Sequence, residues 1–112
     1  MITSFEATFE RYGVKRDGVA TLEFKIPTAD LAKAMQTVIA IEQKIRVVAI
    51  VIEKADIIFE IKEAAFERLS VYREGNSRVR FETLASNING LDNIEKFVEM
   101  NLKVEIYKLE EK

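Results

Sequence analysis

Two stretches of this 112-residue chain repeat one pattern: FERYGVKRDGVATLEFKI at residues 9–26 and FERLSVYREGNSRVRFET at residues 66–83. Aligned without a gap, residues 8–26 and 65–83 share seven identities at an offset of 57, where composition alone would give about one. The shared residues include the pairs Phe9/Phe66, Gly18/Gly75 and Phe24/Phe81. Self-similarity at a fixed offset predicts an internal duplication, with one repeat at 2–52 and the other at 59–109.

The first repeat has the pattern of two strands, a helix and a third strand. Apolar and polar residues alternate over 5–10 and again over 21–26, and Asp17-Gly18 lies between them, which predicts a hairpin with a tight turn. Apolar residues at helical spacing predict a helix over 28–43. The β-branched run 45–52 is apolar on both faces and predicts a strand that is buried in the sheet.

The second repeat predicts the same order of elements. A shorter helix is expected to open near Asn89-Gly90, and the alternating segment 102–107 is expected to form a strand nearer to a sheet edge. The apolar residues of 59–61 and 64–66 have opposite parity, so a β-bulge is expected at Lys62-Glu63. The join at 53–58 is too short for a flexible linker, and the halves must therefore pack as one body.

These elements predict a single α+β domain over 1–112, in which two ββαβ units form a six-stranded, two-helix, barrel-like sheet with pseudo-twofold symmetry. The order resembles the double-ββαβ barrels, the cradle-loop group that includes double-psi barrels, and that resemblance implies two interlocked halves. A sliding-clamp-like domain is also internally duplicated, but it needs one more strand between its helices. A ferredoxin-like fold has only two strands there and fits poorly.

The missing residue types restrict the chemistry. The chain has no cysteine and no histidine, which excludes disulfides, thiolate nucleophiles, imidazole bases and Cys- or His-ligated metals. The four glycines have no phosphate-loop spacing. We therefore expect no enzyme, no catalytic or metal-binding residue and no cofactor. Without a signal-peptide pattern or a long apolar run, the expected protein is soluble and cytoplasmic, with no membrane contact.

Basic residues of the two repeats form the candidate binding site. They fall on the predicted strands and turns, with aromatic residues among them, and a basic strand face carrying aromatics suits a nucleic-acid backbone and its bases. Interleaved glutamates leave a second interpretation open, in which the charges form an ordinary solvated sheet surface. The candidate nucleic-acid-binding residues are Arg11, Lys15, Arg16, Arg68, Tyr72, Arg73, Arg78 and Arg80.

Residues 21–53 resemble small uncharacterised proteins from the replication and recombination modules of temperate phages. With the basic residues, this resemblance implies a non-enzymatic accessory protein that contacts single- or double-stranded nucleic acid or a replication partner. The alternative is a structural protein that only self-associates. Because the segment 45–52 is apolar on both faces, either closure of the sheet over it or a homo-oligomer, with a dimer favoured, is expected to cover it.

Overall fold

The computed structural model describes residues 1–37, 44–52, 56–72 and 77–109. Its strands are β1 (Thr3–Val14), β2 (Val19–Ile26), β3 (Lys44–Val51), β4 (Ile57–Val71), β5 (Ser77–Leu84), β6 (Ile88–Asn89) and β7 (Asn101–Lys108). One α-helix, α1 (Leu31–Met35), follows a 3-10 turn at Thr28–Asp30, and further 3-10 segments cover Ala85–Asn87 and Leu91–Phe97. The α+β class is confirmed.

The strands form a ring-like sheet in which every pairing is antiparallel. Its order is β3-β7-β1-β2-β5-β4-β6, and β3 also pairs with β4, so six strands close on themselves. The strands β1 and β4 are long enough to bend around the ring. The first part of β1 pairs with β7 and its second part pairs with β2, while β4 passes in the same way from β3 to β5.

The ring has the same pairings when its two halves are exchanged. Replacing β1, β2 and β3 by β4, β5 and β7, and the reverse, reproduces every pairing among these six strands. The registers of the β1–β2 and β4–β5 pairings also agree, because Phe9 lies opposite Phe24 and Phe66 lies opposite Phe81, each pair followed by a shift in register. Each half therefore contributes equivalent strands to equivalent places in the ring.

The buried face of the ring carries the apolar side chains that the alternation predicts. Phe9, Phe24, Phe59 and Phe81 are fully buried, and Phe24 lies 5.2 Å from Phe9 and 6.0 Å from Phe81 between ring centroids. Such pairs are favourable beyond the area they bury. The phenylalanines of both repeats thus meet in one core, and neither half could bury its own apolar face alone.

The hairpin turn and the bulge lie where the sequence predicts them. Gly18 has φ 87°, its N–H donates to the Lys15 carbonyl, and the Lys15 N–H donates to the Val19 carbonyl. Opposite Arg46 of β3, the strand β4 has two residues, Lys62 and Glu63, where a regular ladder would have one. This extra residue returns both Ile61 and Ala64 to the buried face.

Three predicted elements differ from the structure. The segment Leu91–Phe97 is a 3-10 helix, not an α-helix, and β6 is a seventh strand that the sequence did not indicate. The last strand, β7, lies between β1 and β3 and is not near an edge. Its alternating sequence indicates only that one face is polar, and a strand inside the ring also has a polar outer face. Of the helix predicted over 28–43, the part 38–43 lies outside the described residues.

The apolar strand β3 is covered within the chain itself. Val47 and Ala49 face the core, whereas Val48 faces outward and is nevertheless only 3% exposed. The side chain of Arg46, next to it on β3, lies 3.8 Å from the Glu60 carboxylate and 4.4 Å from the centre of the Tyr107 ring. The strand is thus buried within a single chain, so its apolar character does not require a partner subunit.

Candidate nucleic-acid interface

Four arginines lie on the outer surface of the β1-β2-β5-β4 part of the ring. On β5, Ser77, Val79 and Phe81 are buried, so Arg78 and Arg80, which alternate with them, point to the outside. Arg80 lies opposite Arg68 of β4 and opposite Glu23 of β2, and Glu23 lies in turn opposite Arg11 of β1. We call this surface, with Arg11, Arg68, Arg78 and Arg80, the arginine face.

Carboxylates hold three of these four guanidinium groups. Arg11 lies 3.1 Å from the Glu23 carboxylate, and Arg80 Nε lies 3.0 Å from Glu67 Oε2. Arg78 Nε donates to Glu10 Oε1 at 2.8 Å and lies 3.7 Å from Glu23 Oε1. The hydrogen bond that Arg78 donates to the Glu10 carboxylate raises the pKa of Arg78 above its ordinary value. The positive charge of the face is therefore largely compensated from within.

Glu23 belongs to this cluster, although the sequence did not identify it as a candidate residue. Only 6% of the residue is exposed, although it points to the outer side of β2. Its carboxylate is covered by the guanidinium groups of Arg11 and Arg78, which supply the opposite charge that a buried carboxylate needs. Alternation correctly placed Glu23 outward, but a contact made across two neighbouring strands leaves no signal in a local pattern.

Arg68 differs from the other arginines of the face. It is exposed on β4, and no ion pair joins it to any residue in the described part of the chain. An arginine in this state can contact a phosphate without first giving up a carboxylate, whereas Arg78 and Arg80 would have to exchange partners. Arg68 is thus the cation of the face that is best placed to receive an anion.

An aromatic ring stands at one end of the arginine face. Tyr72 follows β4 directly and is 48% exposed, and the guanidinium carbon of Arg78 lies 5.4 Å from the centre of its ring. This distance is within the range of a cation–π contact. Because Arg78 is fixed by Glu10, it also restricts the position of the tyrosine ring. Of the candidate residues, Tyr72 and Arg78 are therefore in contact.

The eight candidate residues do not form a single cluster. Lys15 and Arg16 are exposed in the β1–β2 turn, at the end of the sheet where Val19 pairs with Leu84, while Tyr72 adjoins the opposite end. The eight residues of β2 separate these ends by about 24 Å. Arg73 lies outside the described residues. The arginine face and the basic turn are therefore two separate features.

A shallow depression lies beside the central row of charges. Its volume is about 300 Å³, and it is lined by Arg11, Tyr12, Gly13, Thr21, Glu23 and Arg80. Gly13 has no side chain, and this leaves the backbone of β1 accessible between the flanking arginines. The depression is too open and too polar for a typical small-molecule site, which is mostly apolar and encloses its ligand.

Comparison with protein families and with curated proteins found no match: no protein-family model matches the chain, and no curated protein has a detectably similar sequence. Within residues 1–37, 44–52, 56–72 and 77–109, no group of three or more Asp and Glu side chains is arranged to hold a metal ion. In the same ranges, no helix is long and apolar enough to cross a membrane.

Proposed function

We propose that the protein is a non-enzymatic accessory protein that binds a single strand of nucleic acid across the arginine face. The observation that supports this proposal best is the exposed ring of Tyr72, which lies against Arg78 at one end of a surface with four guanidinium groups. An aromatic platform beside cations is the usual arrangement for binding single strands, because bases stack on the ring while cations contact phosphates.

The proposed path runs along β4. Arg68, Ser70 and Tyr72 have the same parity, and Arg80 and Arg78 lie opposite the first two. Tyr72 lies four positions after Arg68 on the strand, about 13 Å away. This distance is longer than the length of one nucleotide along an extended strand. In this arrangement Tyr72 stacks a base, Arg68 contacts a phosphate, and Arg78 holds the tyrosine ring in place through its bond to Glu10.

The compensated charge of the face determines what kind of binding is proposed. Because three arginines already contact carboxylates, few counterions are released when a strand binds, and the salt dependence is expected to be shallow. Stacking then supplies more of the affinity than charge does. A single strand with exposed bases fits this surface better than a duplex, whose bases are stacked inside.

The alternative function, that of a structural protein that only self-associates, has less support. It depended on an apolar β3 that needed a cover, and the ring provides that cover, since Val48 is buried within one chain. The resemblance of 21–53 to small phage proteins supports, as part of the same proposal, an accessory role close to phage replication or recombination. The partner in that setting is the nucleic acid.

We also infer that the chain arose by duplication of one ββαβ unit. The offset of 57 that aligns the sequences also relates the registers, because the pairs Phe9/Phe24 and Phe66/Phe81 are equivalent at that offset. The β2–β5 pairing agrees as well: Leu22 lies opposite Phe81, and its counterpart pair joins Phe24 to Val79. A common ancestor for both halves explains why sequence and register share one offset.

The test measures binding of a fluorescently labelled thymidine oligonucleotide of 20 nucleotides by anisotropy. Tyr72→Ala should weaken binding by about 1–3 kcal/mol, the usual value of one stacked base, while Tyr72→Phe, which keeps the ring, should bind nearly as well as the wild type. A matched control is Lys62→Glu, which changes an exposed residue of β4 at the bulge, away from the arginine face. If the wild type does not bind at about 50 mM salt, the proposed function is wrong.

A further inference from the structure

The second part of β1 is open along one side of the ring. From Thr3 to Thr8, β1 pairs with β7, and Phe9 still exchanges backbone hydrogen bonds with Glu99 and Met100. Beyond that point, residues 11–14 pair with β2 alone. Within the described chain, no strand lies on their other side. We call residues 11–14 the β1 edge.

The backbone groups that the β1 edge exposes can be identified from the ladder. In antiparallel strands, residues point their N–H and C=O alternately toward and away from the neighbouring strand. The Lys15 N–H donates to the Val19 carbonyl of β2 at 2.9 Å, so Lys15 points toward β2. By alternation Gly13 does the same, and Val14 and Tyr12 point away. Two N–H and two C=O groups are therefore available to a further strand.

The side chains around the β1 edge define the chemistry of a partner. The Arg11 side chain is 68% exposed, and Lys15 and Arg16 are exposed in the adjoining turn. Asp17 follows them, but its carboxylate accepts a hydrogen bond from the Val19 N–H within the turn. Val14, on the edge itself, is 47% exposed. The edge thus combines an apolar contact with an excess of positive charge.

A second copy of the chain is a poor occupant of this edge. Two β1 edges paired antiparallel, with Tyr12 of one copy opposite Val14 of the other, would place Lys15 of each copy opposite Arg11 of the other, and the equivalent segment of β4 carries exposed Arg68. Like charges that face each other across strands are destabilising. An acidic strand has the opposite effect, because its carboxylates would lie next to Arg11, Lys15 and Arg16.

We propose that the β1 edge binds an acidic peptide segment of a partner protein, which adds to the sheet as an extended strand next to Tyr12 and Val14. Main-chain hydrogen bonds then provide the affinity and alternate side chains provide the selectivity, as in other cases of strand addition. One face of the peptide would present β-branched side chains to Val14, and the charges of the other would meet the basic turn. The β1 edge lies away from the proposed stacking site at Tyr72, although it shares Arg11 with the arginine face.

The experiment uses the full chain and a capped eight-residue peptide of alternating valine and glutamate. Titration followed by amide NMR should shift the signals of Tyr12 and Val14 and slow their hydrogen exchange. Two altered peptides serve as controls: one has lysine in place of glutamate, and the other has N-methyl groups on alternate residues. Each should bind with an affinity that is lower by about tenfold or more. The first change removes the charge match and the second removes the donors of the added strand.

Two variants separate backbone pairing from side-chain contact. Val14→Pro removes an N–H that points away from β2 and should reduce peptide affinity about tenfold, whereas Val14→Ala keeps that N–H and should have a smaller effect. Lys15→Glu with Arg16→Glu tests the charge match without changing the edge. The proposal would be overturned by any of three results: equal binding of the lysine peptide, unchanged peptide affinity in both the proline and the charge variants, or no binding at about 1 mM peptide. The proposal would also be overturned if a thymidine oligonucleotide, and not the peptide, slowed the hydrogen exchange of the Tyr12 and Val14 amides.

Discussion

Glu23 and Arg80 lie opposite each other in the β2–β5 pairing, and they are also counterparts of each other at the offset of 57. At this position, in the centre of the outer surface, the first half therefore has a glutamate where the second half has an arginine. On the second half, Arg80 neutralises Glu67 directly. On the first half, the corresponding neighbours are both carboxylates, Glu10 and Glu23, and the side chain of Arg78 is what joins them.

This asymmetry predicts that Arg78 stabilises the fold more than Arg80 does. Arg78→Met leaves Glu10 without its partner and leaves the buried Glu23 with Arg11 alone, which should cost about 1–2 kcal/mol. Arg80→Met unpairs only Glu67, which is partly exposed, and should cost less than about 1 kcal/mol. Urea unfolding of both variants measures the difference. Partial recovery by Glu10→Gln in the Arg78→Met background would support the mechanism, and equal costs would contradict it.

A second prediction concerns the turn after β6. Gly90 has φ 96°, and a Cβ added there would lie 2.8 Å from the Ile58 carbonyl oxygen. Gly90→Ala should therefore lower the free energy of unfolding by about 2 kcal/mol or more, because left-handed strain and a backbone clash add together. At Gly13 an added Cβ meets nothing closer than 3.8 Å. Gly13→Ala is the matched control and should change stability by less than about 1 kcal/mol; a similar loss in both would count against this explanation.

A third prediction separates the core phenylalanines from the exposed tyrosine. Phe24 is fully buried and contacts the rings of Phe9, Phe59 and Phe81. Phe24→Ala should therefore cost about 3–5 kcal/mol and should unfold much of the population. Tyr72→Ala, at an exposed position, should cost less than about 1 kcal/mol. Thermal unfolding followed by circular dichroism checks both, and a large loss in Tyr72→Ala would mean that its effect on binding reflects folding.

The features that the sequence predicts correctly are those with a local cause. The turn at Gly18 needs a positive φ, the phenylalanines of the strands need the buried face, and the parity break at Lys62-Glu63 needs an extra residue. In each case two or three neighbouring residues carry the signal. A single alignment at one offset also placed Phe9 and Phe66 in equivalent positions.

The features that sequence reasoning missed depend on residues far apart in the chain. A barrel-like closure was predicted, but not the strands that make it: β3 pairs with β4 and with β7, and no local pattern states which strands will meet. The contact of Arg78 with Glu10 spans 68 positions and crosses β2. The arginines of the candidate site were therefore located on the correct face, while their compensation by glutamates, which decides how an anion could bind, was not predicted.

The compensated arginines also change which variant tests nucleic-acid binding. Charge reversal of Arg78 and Arg80 would also remove stabilising contacts, because Arg78→Glu would place a third carboxylate beside Glu10 and Glu23 and should lower the melting temperature. Arg68→Glu avoids this problem, because Arg68 is exposed and has no ion pair with a described residue.

Arg68→Glu should weaken binding of the thymidine oligonucleotide and reduce the log–log salt slope by about 0.7, the value of one phosphate contact on a single strand. Its melting temperature should stay near that of the wild type. Lys62→Glu is the charge-matched control, since each variant changes the net charge from −2 to −4 (−2 − 2 = −4). Anisotropy titrations at several salt concentrations measure the slope. An equal change in both variants would show that net charge, and not a contact at Arg68, governs the binding.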